Sequence, residues 1–151
     1  MLGVGAAMPA VTVEDDAGKR VSMKSLVGKP LVLYFYPKDD TPGCTTEAGD
    51  FADLYGDFKK KGVQIYGASR DSAASHRKFK ERYGIPFPLL ADVDSKLCDA
   101  FGVIVEKNMY GKKSLGIQRS TFLFDSKGKV TRVWPKVKVE GHAEDVLAQL
   151  K

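Results

Sequence analysis

A chain of 151 residues fits a single domain, and its 43% hydrophobic and 28% charged composition excludes disorder and fibrous repeats. The formal net charge of +5 raises nucleic acid as a partner, but Lys and Arg are spread along the whole length with acids interleaved, so none is expected. No apolar run approaches the ~20 residues of a membrane span, so no membrane association is expected either.

In chain order, Val11 to Val13 reads as a short strand, Asp15 to Lys19 as a turn, and Ser25 to Gly28 as a short helical or turn element. Leu31-Val32-Leu33-Tyr34-Phe35-Tyr36 is a continuous apolar, β-favouring run ended by Pro37, the pattern of a buried central strand. A polar loop, Lys38 to Gly43, leads into apolar residues at helical spacing (Ala48, Phe51, Leu54, Tyr55, Phe58), which predict an amphipathic helix to about Lys61, stopped by Gly62. The densest basic run, Lys59-Lys60-Lys61, sits at that helix's C-terminus, where cations suit the helix dipole. Val63 to Ala68 is a second strand, Ser72 to Tyr83 a second helix, Pro88 to Leu90 a short extended piece and Ser95 to Phe101 a third helix. Val103 to Val105 reads as extended and Lys107 to Gly116 as a polar loop; Ser120 to Phe124 and Val130 to Trp134 form a hairpin, and Ala143 to Lys151 a last helix. This order indicates an α/β domain over residues 1–151 with a central mixed sheet flanked by helices. The helix joining the first two core strands makes them parallel, and the hairpin adds an antiparallel edge.

The chemistry concentrates at Thr41-Pro42-Gly43-Cys44, where the first core strand's loop meets the first helix. Loops at the carboxyl ends of parallel strands are where α/β sheets carry their sites. Thr41 suits an N-cap and Pro42 the first helical position, which puts Cys44 in the first turn. Unpaired backbone N–H groups and the positive end of the helix dipole there favour a thiolate. Gly43, without a side chain, would let a small substrate approach the backbone. The alternative is that Cys44 is a small buried hydrophobe, as many free cysteines are; its polar neighbours Asp40, Thr41, Thr45 and Glu47 argue against it.

Several cysteine chemistries are disfavoured. Dithiol exchange of the Cys-x-x-Cys type needs a cysteine at position 47, which is Glu. A cysteine hydrolase needs a histidine base, and the two histidines, His76 and His142, read as exposed polar residues. A zinc site from two Cys and two His lacks metal-ligand spacing, so no metal is expected, and with no motif for a flavin or haem no cofactor is expected either. Two cysteines make no disulfide framework, and Met1 to Ala10 lacks the basic and apolar regions of a signal peptide, so a reducing cytoplasm is the expected compartment.

The stretch Pro37-Lys38-Asp39-Asp40-Thr41-Pro42-Gly43-Cys44, continued by Thr45-Thr46-Glu47, resembles the active-site pattern of the peroxiredoxins, in particular the peroxiredoxin Q or bacterioferritin comigratory protein branch. Glu106 to Lys112 and Gly116 to Phe122 agree with the same branch, and the resemblance covers nearly the whole chain. It implies a thioredoxin-like fold and a thiol-dependent peroxidase that reduces hydrogen peroxide and organic hydroperoxides. Carried over by position, Cys44 is the peroxidatic nucleophile, Thr41 hydrogen-bonds at the sulfur and the peroxide, Pro37 shapes and shields the pocket, and Arg119 is the cation beside the thiolate. Glu47 would hold the Arg119 guanidinium through two of its donors. A thioredoxin-fold disulfide reductase and a non-catalytic binding or chaperone module are the competing readings.

In this chemistry the thiolate attacks one peroxide oxygen, the other leaves as hydroxide or alkoxide, and a sulfenic acid results. Lowering a thiol's pKa by about three units gains roughly 30-fold in thiolate at neutral pH but costs on the order of 20- to 30-fold in nucleophilicity. The two nearly cancel, so the rate must come mainly from donors aimed at the peroxide oxygens, for which Arg119, Thr41 and the Cys44 N–H are the candidates.

Relatives of this type place a resolving cysteine five residues after the peroxidatic one or on the second helix; those positions are Gly49 and Lys80 here. Cys98, among Leu97, Ala100 and Phe101, reads as a core residue and an improbable resolver. The expected cycle therefore uses one cysteine and an external reductant, thioredoxin or glutathione with glutaredoxin, in a monomer.

Overall fold

The structure, a computed structural model, describes residues 1–150, without the side chain of Met109. Its main sheet has seven strands: β1 (Thr12–Asp15), β2 (Arg20–Ser22), β3 (Leu31–Phe35), β4 (Gln64–Ser69), β5 (Leu89–Ala91), β8 (Ser120–Phe124) and β9 (Val130–Trp134), in the order β2-β1-β5-β4-β3-β8-β9. The helices are α1 (Pro42–Lys60), α2 (Ala73–Tyr83), α3 (Lys96–Phe101) and α4 (His142–Ala148), with a 3-10 turn at Met23–Leu26. As expected, β3 and β4 run parallel across the α1 crossover, and the hairpin β8–β9 joins β3 antiparallel. The last helix stops before the expected limit, and Lys151 lies outside the described residues. Among the described residues no helix is long and apolar enough to cross a membrane.

β3 is buried along its whole length because both sheet faces are covered. Its side chains alternate. Leu31, Leu33 and Phe35 enter one core with Phe101, Phe122 and Phe124; Val32, Tyr34 and Tyr36 enter the other with Phe51 and Phe58 of α1, Phe79 of α2 and Val146 of α4.

The polar stretch after Val105 departs from the sequence reading. It is a second, two-stranded sheet, β6 (Ile104–Met109) and β7 (Lys112–Ile117), turned by Tyr110 and Gly111 with φ of 54° and 78°. Two successive positive φ values are what a tight two-residue hairpin requires, and Gly111 supplies one without strain. Most of β7 is solvent-exposed, so the strand carries no apolar alternation to announce it.

Candidate active site

The turn that carries Cys44 is built as its residues imply. Thr41 takes the N-cap with extended backbone (φ −93°, ψ 155°), and Pro42 opens α1. The side-chain cap itself is not made. Thr41 Oγ1 donates instead to the Lys38 carbonyl at 2.9 Å, which fixes the hydroxyl proton and leaves the oxygen an acceptor toward any further partner. The first helical bond is Thr45 N–H to Thr41 O at 2.8 Å, so the N–H groups of Gly43 and Cys44 precede the helical ladder.

Cys44 and Glu47 are three residues apart and share the buried face of α1 with Ala48 and Phe51. Arg119 reaches them from a distant part of the chain, in the link between β7 and β8. Strand register brings it there: Ser120, the first residue of β8, pairs with Phe35, the last of β3, and the β3 end leads through Pro37 to Thr41 into α1. Arg119 Nη2 donates to Cys44 Sγ at 3.3 Å, and Nη1 donates to Glu47 Oε1 at 2.6 Å. Cys44 is 1% exposed.

One expectation is corrected here. Glu47 does not grip the guanidinium with both oxygens. Only Oε1 is engaged, while Oε2, like the hydroxyl of Tyr34, is buried with no partner among the described residues. One Nη group is turned to the sulfur, so the two nitrogens are divided between thiol and carboxylate. Gly43 makes room for Arg119: a Cβ there would stand 3.2 Å from Nη2. Pro37 is half-buried just beyond β3.

Burial pushes the Glu47 carboxyl up to about 7, against the opposing charge of Arg119. Arg119 itself is burdened by burial, but the negative charges of Glu47 and Cys44 outweigh it and hold the guanidinium above its ordinary value. Burial, followed by the charges of Glu47 and Cys44, also pushes the Tyr34 phenol well up.

Cys98 is buried in the other core, on the far face of β3 from Cys44, as its helical context implied. Burial and the neighbouring Asp92 carboxylate push its thiol well up. Asp92 accepts from the N–H groups of Leu97 and Cys98 at 2.9 and 2.7 Å, which anchors the start of α3.

Both histidines are buried, contrary to the exposed positions expected from sequence. His76 lies on the inner face of α2 with Phe79, and His142 on that of α4 with Val146. Helical spacings of three and four to those apolar residues were the signal available. His142 Nε2 lies 2.8 Å from Thr121 Oγ1, and burial lowers its pKa to about 4. Among the described residues the one hydrogen-bond partner of Cys44 Sγ is Arg119, so neither histidine forms a cysteine–histidine pair.

A mixed sheet flanked by helices, with a cysteine in the first turn of the helix after a central strand and a guanidinium on its sulfur, defines a thiol-redox protein of thioredoxin-like fold. The chain belongs to the AhpC/TSA family, whose profile matches residues 4–133, and within it to the peroxiredoxins, which are thiol-dependent peroxidases. It is 55% identical over 148 residues to "Peroxiredoxin Bcp" of Xanthomonas campestris, with 95% of this chain and 92% of that one covered. It is 49% identical over 147 residues to "Putative peroxiredoxin bcp" of Coxiella burnetii, with 97% of each covered. Solved peroxiredoxin Q of Xanthomonas campestris superposes with a TM-score of 0.91 at 50% identity, over 97% of this chain and 96% of that one. A structure of the Xanthomonas bacterioferritin comigratory protein, studied for its alkyl peroxide reduction activity, gives a TM-score of 0.91 at 49% identity over 98% and 97% of the two chains.

Proposed function

We propose that Cys44 is the cysteine through which this peroxidase reduces hydroperoxides, including alkyl hydroperoxides of the kind the Xanthomonas relative was studied with. The observation that carries the reading is the 3.3 Å contact from Arg119 Nη2 to Cys44 Sγ at the opening turn of α1. The Cys44 thiolate attacks the nearer peroxide oxygen; the O–O bond breaks, and its electron pair leaves on the distal oxygen as hydroxide or alkoxide. Arg119 and the Cys44 N–H donate to the oxygens as that charge grows. Thr41 Oγ1, whose proton is committed to Lys38 O, accepts from the peroxide O–H. Pro37 shields the pocket, Gly43 admits the guanidinium, and Glu47 orients it.

The product is a sulfenic acid on Cys44, returned to thiol by an external thiol, thioredoxin or glutathione with glutaredoxin. Two Xanthomonas structures each carry one cysteine-to-serine substitution, and the spacing between those two cysteines, counted on from Cys44, falls on Lys80. Lys80 here is half-buried with its Nζ 3.2 Å from Asp16. The position therefore offers no thiol, which favours the external reductant. The protein acts as a single-domain monomer in a reducing cytoplasm. Peptide-resolved mass spectrometry after one equivalent of peroxide tests the reading. One added oxygen on the Cys44 peptide is expected, and oxygen on Cys98 with Cys44 unmodified would overturn it.

A further inference from the structure

The loop from Pro37 to Thr41, which leads from β3 into the Cys44 turn of α1, is held by a polar network that the peroxide chemistry does not use. Its centre is Asp39, a buried carboxylate. Asp39 Oδ1 accepts from Tyr36 Oη at 2.6 Å, and Oδ2 accepts from Ser75 Oγ at 2.8 Å. His76 Nδ1 lies 2.7 Å from Oδ2, and His76 Nε2 lies 2.9 Å from the Leu90 carbonyl of β5. A carbonyl only accepts, so Nε2 donates to it, and the Nδ1 contact shares a proton between ring and carboxylate. The Asp39 N–H donates to Asp71 Oδ2 at 2.9 Å, and Asp71 is in turn held by Ser69 Oγ at 2.6 Å.

The next residue is pinned as well. Asp40 has φ of 58°, a left-handed conformation costly for a residue with a side chain. Its carboxylate accepts from Arg82 Nη1 at 2.9 Å and from the Tyr83 hydroxyl, both at the end of α2. Two consecutive loop residues are thus tied to both ends of one helix, immediately before Thr41.

We propose that His76 is a positioning residue for peroxide reduction, acting through Asp39 to set the 37–41 loop and hence the Thr41 hydroxyl and the Cys44 turn. His76 touches neither sulfur nor peroxide; its imidazole locks the Asp39 carboxylate against β5, and Asp39 carries the constraint into the loop. This rests on the assignment of Cys44 and Thr41 to the reaction.

Two substitutions separate positioning from packing. In His76→Asn the amide nitrogen occupies the place of Nδ1 and keeps the bond to Asp39, whereas in His76→Gln it occupies the place of Nε2 and keeps only the bond to Leu90. Both shorten a buried ring and remove one hydrogen bond, so a purely structural role would move both alike. The second-order rate of Cys44 oxidation by hydrogen peroxide, measured by stopped flow where circular dichroism shows both variants folded, is expected to stay within about 3-fold of wild type in His76→Asn and to fall about 10-fold or more in His76→Gln. Equal rates in the two variants, or a wild-type rate in His76→Gln, would overturn the proposal. Should either fail to fold, Ser75→Ala decides, because it removes one donor to Asp39 Oδ2 from a half-buried position. A loss of at least about 3-fold supports positioning, and an unchanged rate overturns it. Cys44→Ser run alongside keeps the layers distinct: peroxide consumption persisting there would fault the assignment of Cys44 itself.

Discussion

Cys44 and Cys98 stand on opposite faces of the same strand, Cys44 with Val32, Tyr34 and Tyr36 and Cys98 with Leu31, Leu33 and Phe35. A disulfide needs Cα atoms about 4.4–6.8 Å apart, so joining residues packed on opposite faces of the sheet requires local unfolding around the helices that carry them. The intact mass after one equivalent of peroxide should therefore show one added oxygen, or a glutathione adduct when glutathione is present. A species two hydrogens lighter, formed in high yield, would refute the one-cysteine cycle and leave the peroxidase assignment standing.

Removing the guanidinium tests the charge-stabilising half of the mechanism. Arg119→Met should lower the second-order rate with hydrogen peroxide by at least about 100-fold, the scale of one preorganised transition-state donor. Gly43→Ala should act in the same direction but more weakly, since the new methyl meets the guanidinium of Arg119 at 3.2 Å, and a shift of a few tenths of an ångström at the end of that side chain makes room for it. Stopped-flow kinetics decides both, and near wild-type speed in Arg119→Met would make Arg119 structural.

Glu47 should leave a signature in stability against pH. Its folded-state carboxyl lies near 7, above the ordinary 4.5, so the folded protein holds the proton more tightly than the unfolded chain. That contribution is complete below about 4.5 and is lost as pH rises to about 7. Denaturant titrations should show wild type losing stability relative to Glu47→Gln as the pH is raised through this window. A constant difference between the two would contradict the burial argument.

His142 should act in the opposite sense. Burial lowers its pKa from 6.5 to about 4, so the folded protein resists protonation. Its contribution is present above 6.5 and is lost as pH falls toward 4. His142→Gln should flatten the acid side of the stability curve across that interval, measured again by denaturant titration at fixed pH steps.

Much of this was legible in the sequence because local and tertiary demands coincide. Leu31 to Phe35 is apolar on both faces since both faces are covered, and Pro42 and Gly62 punctuate α1 where capping chemistry places them. The β6–β7 hairpin was not legible, because a mostly solvated strand has no buried face to write an alternation. The histidines misled for a different reason. A polar side chain enters a core when partners wait for it, and those of His76, Asp39 and Leu90, come from other elements. The turn residues put Cys44 in the first turn of α1, as the structure has it, but the side-by-side placement of Arg119 and Glu47 was implied only by the family resemblance, since it depends on the Phe35–Ser120 register across some eighty residues of chain. The division of the guanidinium between sulfur and carboxylate needed the structure.

The most direct test of the central claim is stopped-flow peroxide reduction by two single variants. Cys44→Ser should abolish the reaction, while Cys98→Ser, altered only in the opposite core, should keep most of the first-step rate. Comparable loss in both variants, or retained activity in Cys44→Ser, would contradict the account.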